Sequence, residues 1–268
     1  MKIARYIDKE GEVGFCEWRG SSLPPLKIAG TFGSFEVTGD IADIEHLLSP
    51  IDPRTIYGVG LNYKAHAEEK GKEVPKLPLI FMKSLSAVQN PGKPIFIPRG
   101  LRSDKVDYEG ELAIVMGRAA KNVSKSDALN YVLGYTVAND VSARDWQFEW
   151  GGGQFCRGKT FDTFCPLGPC LVTTDEIENP NDLRLKTTLN GELVQETSTA
   201  DMIFDVPSII SFLSGSTTLL PGTVILTGTP SGVGAAMNPP RYLKHGDEVE
   251  IEIEGIGTLS NPVENEVL

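Results

Sequence analysis

The chain has 268 residues, 40% of them hydrophobic and 23% charged, enough to bury a sizeable core without disulfides or a structural metal. Its 28 glycines and 18 prolines exceed the usual combined share of roughly 12%, which favours a turn-rich, strand-rich fold over a helical bundle. A formal charge of −11 comes with no basic stripe for nucleic acid, and no apolar run approaches the ~18 residues of a membrane span.

The opening Met1-Lys2-Ile3-Ala4-Arg5 lacks the apolar core of a signal peptide, and Cys16, Cys156, Cys165 and Cys170 form no CxxC pair. Buried thiols in a reducing, cytoplasmic setting are therefore expected, and a zinc site is not. Residues 1–49 read as short strands and turns ending in a small helix, with Ile41, Ile44, Leu47 and Leu48 at helical spacing behind Gly39-Asp40. Ser49-Pro50-Ile51-Asp52-Pro53 then interrupts the chain. This places a small strand-rich N-terminal domain over residues 1–52 and a main domain over 53–268.

From Thr55 onward the pattern is one of strands broken by turns. Val106–Met116 reads as a single strand and Tyr131–Asn139 as another, with a short helix signalled between them by Ser124 and Asp127. Asn190-Gly191 marks a hairpin within Leu185–Gln195, and a second short helix is expected near Pro207–Leu213. Val249, Ile251 and Ile253 alternate with Glu250, Glu252 and Glu254, as in a half-buried strand. Strands outnumber helices without regular βαβ alternation, so the expected class is α+β with a mixed sheet.

GxSxG, HExxH, Walker-lysine and EF-hand patterns are all absent. The loop Gly228-Thr229-Pro230-Ser231-Gly232-Val233-Gly234 resembles a phosphate cradle but lacks the GK[ST] ending, and reads as a tight turn near a site. Glu109 and Glu111 lie two apart in the strand pattern, hence on one face, roughly 6.6 Å apart along it. The same spacing occurs at Glu250, Glu252 and Glu254, where solvated glutamates suffice, so spacing alone is weak. Context separates them: both faces of 106–116 turn apolar beyond Glu111, placing two acids at the mouth of a core. Like charges there need a metal or a shared proton.

Asp140, at the end of the next strand, offers a third oxygen ligand, and an all-carboxylate set suits Mg²⁺ or Mn²⁺. Such crowding also implies that removing Glu109 or Asp140 should relieve repulsion and leave the fold intact. Arg144 can hold a carboxylate in bidentate fashion and Gln147 can donate to a carbonyl oxygen, unless both are ordinary surface residues. Lys159, among small residues and beside Phe161, is either a partly desolvated cation for an anionic substrate or a solvated loop lysine. Of the three histidines, His46 falls in the expected helix tail and His245 in a polar turn. His66 lies three residues before Glu69, a helical spacing that lets the carboxylate orient the imidazole.

Four blocks carry a resemblance: Tyr108–Ala113, Asn139–Gln147, Gly158–Pro169 and Leu226–Gly234. In order and spacing they resemble the fumarylacetoacetate hydrolase family over roughly residues 53–265. That resemblance implies a mixed-sheet roll, a homodimer, and Glu109, Glu111 and Asp140 as ligands of Mg²⁺ or Mn²⁺. It implies Arg144, Gln147, Lys159 and Thr229 as residues holding a small oxo-acid, and His66 with Glu69 as a dyad on a mobile lid. The favoured activity is hydrolysis of a C–C bond in a 2,4-dioxo acid of the acylpyruvate or fumarylpyruvate type. His66 would deprotonate a water, and Lys159 would help stabilise the departing enolate. Alternatives on the same residues are decarboxylation or tautomerisation of oxaloacetate, isomerisation of 2-hydroxyhepta-2,4-diene-1,7-dioate, and non-catalytic binding of a metal or oxo-acid.

Overall fold

Alternating and continuous apolar runs sort the chain into two main sheets in the computed structural model, which describes residues 1–20, 23–31, 33–150 and 152–268. Continuous runs form the middle of the larger one. Gly110–Met116 is buried at every position and lies between Val132–Asn139 and Thr223–Leu226. Such two-sided burial is what a near-continuous hydrophobic strand is suited to. The sheet then runs outward through Thr55–Gly60 to Leu79–Lys83 on one side. On the other it runs through Cys165–Thr173 to Lys2–Ile7 and the remaining N-terminal strands.

The smaller sheet is built on alternation. Glu248–Ile253 buries Val249, Ile251 and Ile253, and pairs with Arg184–Leu189 and Gly257–Asn265. The expected hairpin joins Arg184–Leu189 to Glu192–Ser198, with Asn190 (φ 55°) and Gly191 (φ 77°) both in the left-handed region the turn requires. Most pairings are antiparallel, but Thr223–Leu226 runs parallel to Thr55–Gly60 and Gly257–Asn265 parallel to Ile95–Ile97, so the sheets are mixed. The α-helices are short: α1 (Lys64–Glu69), α2 (Arg144–Phe148) and α3 (Val206–Ser214). In α3, Asp205 accepts from Ser208 N at 2.8 Å and Pro207 occupies the first turn. Among the described residues no helix is long and apolar enough to cross a membrane.

Four local expectations need correction. The segment read as a helix over Ile41–Leu48 is extended: Ser34–Ile41 is a strand, and His46–Leu48 pairs with Lys2–Ile7. Pairing to an available strand overrides the weak helical periodicity, and Ile41 is left exposed. Val106–Met116 is two strands, because Val106–Asp107 leaves the sheet to pair with Ser142–Ala143. The Ser124–Asp127 signal starts a 3-10 turn over Ala128–Tyr131, not an α-helix. Cys156 is exposed, whereas burial pushes the thiols of Cys165 and Cys170 up to about 12. The loop leading to Cys156 includes Gly151, which lies outside the described residues.

Close packing of the central strands has a direct test. Gly134 stands opposite Thr173, and a methyl group on it would collide with the carbonyl oxygen of Val172. Gly134→Ala is expected to cost about 1–3 kcal/mol in urea denaturation; an unchanged midpoint would contradict this packing.

Candidate active site

Three neighbouring strand ends bring the acids together. Gly110 pairs with Asn139, Glu109 N donates to Asn139 Oδ1 at 3.0 Å, and Asp140 N donates to Glu109 O at 2.9 Å. Asp140 therefore leaves its strand beside Glu109. From the third strand, Gly228 N donates to Glu111 Oε2 at 2.6 Å. One carboxylate oxygen from each of Glu109, Glu111 and Asp140 lies within 4.8 Å of the others. All three residues are buried, at 6%, 2% and 0% exposure.

Such a cluster cannot persist without countercharge. Lys159 Nζ donates to Glu109 Oε2 at 2.8 Å, Asp140 Oδ2 at 2.5 Å and Ser142 Oγ at 2.7 Å. Lys83 Nζ holds the other oxygen of Asp140, Oδ1, at 2.5 Å, and reaches Val141 O at 3.2 Å. Arg144 Nη2 lies 2.7 Å from Glu109 Oε1, a charge contact without good hydrogen-bond alignment, while Nε donates to Asp107 Oδ2 at 2.9 Å. Four buried acids (Asp107, Glu109, Glu111, Asp140) thus face three buried cations (Lys83, Arg144, Lys159).

The imbalance falls on Glu111. Burial, then the charges of Asp140 and Glu109, push its carboxyl well above the ordinary range. For Glu109 burial pushes the same way, but Arg144 and Lys159 outweigh it and hold the carboxyl well below that range. Burial would lower Lys159, yet Asp140 and Glu109 reverse the sign and keep it protonated.

On α1, His66 Nδ1 lies 2.9 Å from Glu69 Oε2, and Glu69 Oε1 accepts from Gly232 N at 2.9 Å. Burial would raise the Glu69 carboxyl, but the His66 and Gly232 hydrogen bonds lower it on balance. The dyad leaves His66 Nε2 as the ring atom free for chemistry. Asn62 anchors the start of α1 by donating to Thr227 O at 2.7 Å.

A cavity of about 340 Å³ gathers these groups: His66, Glu109, Glu111, Asp140, Arg144, Gln147, Lys159 and Thr229 all line it, with Glu69 behind His66. Leu79, Phe81, Phe148 and Phe155 form an apolar wall. Gln147 accepts from Arg144 Nη1 at 3.0 Å through Oε1, which leaves its amide NH₂ to donate into the cavity. Thr229 donates to Gly110 O at 3.1 Å and accepts from Gln195 at 2.9 Å, so its hydroxyl is already oriented.

Sequence reasoning missed Lys83, Asp107 and Gln195. Asp107 accepts from Arg144 and from the backbone N–H groups of Gly234 and Ala235, tying α2 to the loop after Thr229. Its signal was present, two residues before Glu109, but a single-strand reading gave it no separate direction. Lys83 ends the strand Leu79–Lys83, and only the three-dimensional pairing brings it to Asp140.

The donor set fits a divalent cation. It consists of carboxylate oxygens, which suits a hard ion, and with Asp107 the buried network around it carries one acid more than its cations neutralise. The ion pairs also change the expected effect of removing Glu109. Its loss would take one of two carboxylate partners from both Arg144 and Lys159 rather than simply relieve repulsion. In chelator-treated protein, Glu109→Gln is expected to cost about 3–5 kcal/mol, whereas Glu111→Gln is expected to stabilise. Glu111 has a folded-state pKa above that of the unfolded chain, so the folded state binds more protons. Metal-free stability should therefore fall as pH rises above about 4.5, the ordinary glutamate value. Glu111→Gln should flatten that slope in thermal denaturation across pH; an equal loss of stability in both variants would contradict the charge assignment.

Residues 55–264 match the family model described as fumarylacetoacetate (FAA) hydrolase C-terminal. A mitochondrial oxaloacetate tautomerase of Xenopus laevis is 50% identical over 218 residues, 81% of this chain and 68% of that protein. The crystal structure of 2-hydroxyhepta-2,4-diene-1,7-dioate isomerase from Mycobacterium marinum is 40% identical with a TM-score of 0.86, covering 100% of both chains. A fumarylacetoacetate hydrolase from Exiguobacterium antarcticum is 37% identical with a TM-score of 0.86, covering 99% of this chain and 100% of its own. The chain belongs to the fumarylacetoacetate hydrolase family.

Proposed function

We propose that this protein is a divalent-metal-dependent enzyme that moves a proton on an enolisable 2-oxo acid, interconverting the keto and enol forms of an oxaloacetate-type substrate. The observation that carries this reading is the placement of His66, oriented by Glu69, on the same cavity wall system as three clustered carboxylates. Mg²⁺ or Mn²⁺ held by Glu109, Glu111 and Asp140 would polarise the oxo group and so acidify the adjacent carbon. His66 Nε2 takes the proton from that carbon and returns it to the oxo oxygen, or the reverse, with no net proton change. Glu69 stabilises the imidazolium formed between the two transfers. Lys159, kept protonated, supplies positive charge where negative charge develops on the substrate, and the Gln147 amide donates to a substrate oxygen. Arg144 and Thr229 complete the oxo-acid site.

Tautomerisation is preferred because the Xenopus relative, named an oxaloacetate tautomerase, is the more similar in sequence at 50% identity. Hydrolysis of a C–C bond in an acylpyruvate- or fumarylpyruvate-type acid is the second reading. It is favoured by the same dyad, which could activate a water, and by the hydrolase named among the similar structures. A non-catalytic binder of metal or oxo-acid would need no oriented His–carboxylate pair. From the family resemblance we propose a homodimer, and from the buried thiols a reducing, cytoplasmic compartment, although the Xenopus relative is named mitochondrial.

The test follows the disappearance of oxaloacetate enol. Parent protein with Mg²⁺ or Mn²⁺ is expected to accelerate it, and a chelator to abolish the effect. His66→Ala should slow it on the order of 10²–10⁴-fold, and Glu69→Gln less in the same direction. Cleavage of acylpyruvates with no effect on the enol would replace this reading with hydrolysis; full activity in His66→Ala would remove the dyad from both.

A further inference from the structure

Lysine and arginine side chains on the cavity wall fall into two groups. Arg144 and Lys159 are committed to internal carboxylates. Lys70 and Lys72 also line the cavity, yet among the described residues neither ammonium has a hydrogen-bond acceptor or an ion-pair partner. Lys70 lies one turn beyond His66, and its backbone N–H donates to His66 O at 3.1 Å. That i,i+4 relation carries its side chain along the face that His66 turns to the cavity. Lys70 is half-buried and Lys72 exposed. Burial, then the nearby Arg144 charge, holds the Lys70 ammonium below the ordinary lysine range, with Glu109, Asp107 and Glu69 only partly offsetting this. A cation withdrawn from water toward another cation, without a counter-ion of its own, is a position that an arriving anion would stabilise.

Opposite in character is the wall of Leu79, Phe81, Phe148 and Phe155, which suits an uncharged tail. The metal-facing acids repel a carboxylate unless a cation intervenes, so a second anionic group has one favourable place, beside Lys70 and the Arg144 guanidinium. We propose that Lys70, assisted by Lys72 at the rim, is the subsite for the distal carboxylate of a dicarboxylate 2-oxo acid and makes the site select diacids over monoacids. This deepens the oxo-acid reading above and rests on it.

Oxaloacetate and pyruvate differ by that one carboxylate and serve as the probes. Their affinities for the Mg²⁺-loaded protein are compared by calorimetry, in parent, Lys70→Met, Lys70→Arg and Lys72→Met. The parent is expected to prefer oxaloacetate by on the order of tenfold or more, as a charge-assisted contact would give. Lys70→Met should remove most of that preference, Lys70→Arg should keep most of it, and Lys72→Met should reduce it less. A preference unchanged in Lys70→Met, or lost equally in Lys70→Arg, would overturn the subsite. Equal binding of both acids by the parent would overturn the subsite alone, whereas binding of neither would overturn the oxo-acid reading and the subsite with it.

Discussion

Asp140 is the pivot of this structure. It is fully buried at the end of a central strand, and each of its carboxylate oxygens is held by a different lysine, Oδ1 by Lys83 and Oδ2 by Lys159. Those lysines come from separate parts of the chain, Lys83 from the strand at one edge of the large sheet and Lys159 from the segment after α2. A single carboxylate therefore fixes the relative positions of a sheet edge, a strand end and a cavity wall. Buried ion pairs of this kind seldom add net stability over apolar packing, but breaking one is costly. Their presence in an otherwise apolar core is better explained by what they position than by what they contribute to folding.

What they position is a cluster with an uneven charge. Lys83 is confined to Asp140 and the backbone, so it acts as a permanent countercharge. Lys159 spans Glu109 and Asp140 and also borders the cavity, so it stands where substrate charge would develop. Among the described residues Glu111 has no cation of its own, only the Gly228 N–H. The network is balanced when Glu111 holds a proton and acquires capacity for a cation when it does not. Arg144, shared by Asp107 and Glu109, links this balance to the loop carrying Thr229, because Asp107 also binds the backbone after Gly232. Helix α1 meets the same loop through Glu69 and Gly232. The clustered acids, the His66–Glu69 pair and the loop carrying Thr229 are thus mechanically joined.

Much of this was legible in the sequence. Glu109, Glu111 and Asp140 were visible because apolar runs framed them, and His66 because Glu69 follows at a helical spacing. The Asn190-Gly191 turn and the alternation at Val249–Ile253 marked three strands of the small sheet through local chemistry alone. The failures are also physical. Ile41–Leu48 carried a helical period, but the strand Lys2–Ile7 offered it pairing, a tertiary contact that local pattern does not contain. The kink at Tyr108–Glu109 was hidden because a strand period cannot show where a chain changes partner. Lys83 was invisible for a stronger reason: a lysine closing an apolar strand looks like an ordinary solvated end until the sheet order places it against Asp140.

The proposed cation site of Glu109, Glu111 and Asp140 would have its charge completed by a proton on Glu111 when no ion is bound. Calorimetric titration with Mn²⁺ in two buffers of different ionisation enthalpy measures this directly. A single site with release of about one proton per ion at mildly acidic pH is expected, with loss of that release in Glu111→Gln. Absence of Mn²⁺ binding, or binding with the same proton release in Glu111→Gln, would contradict it.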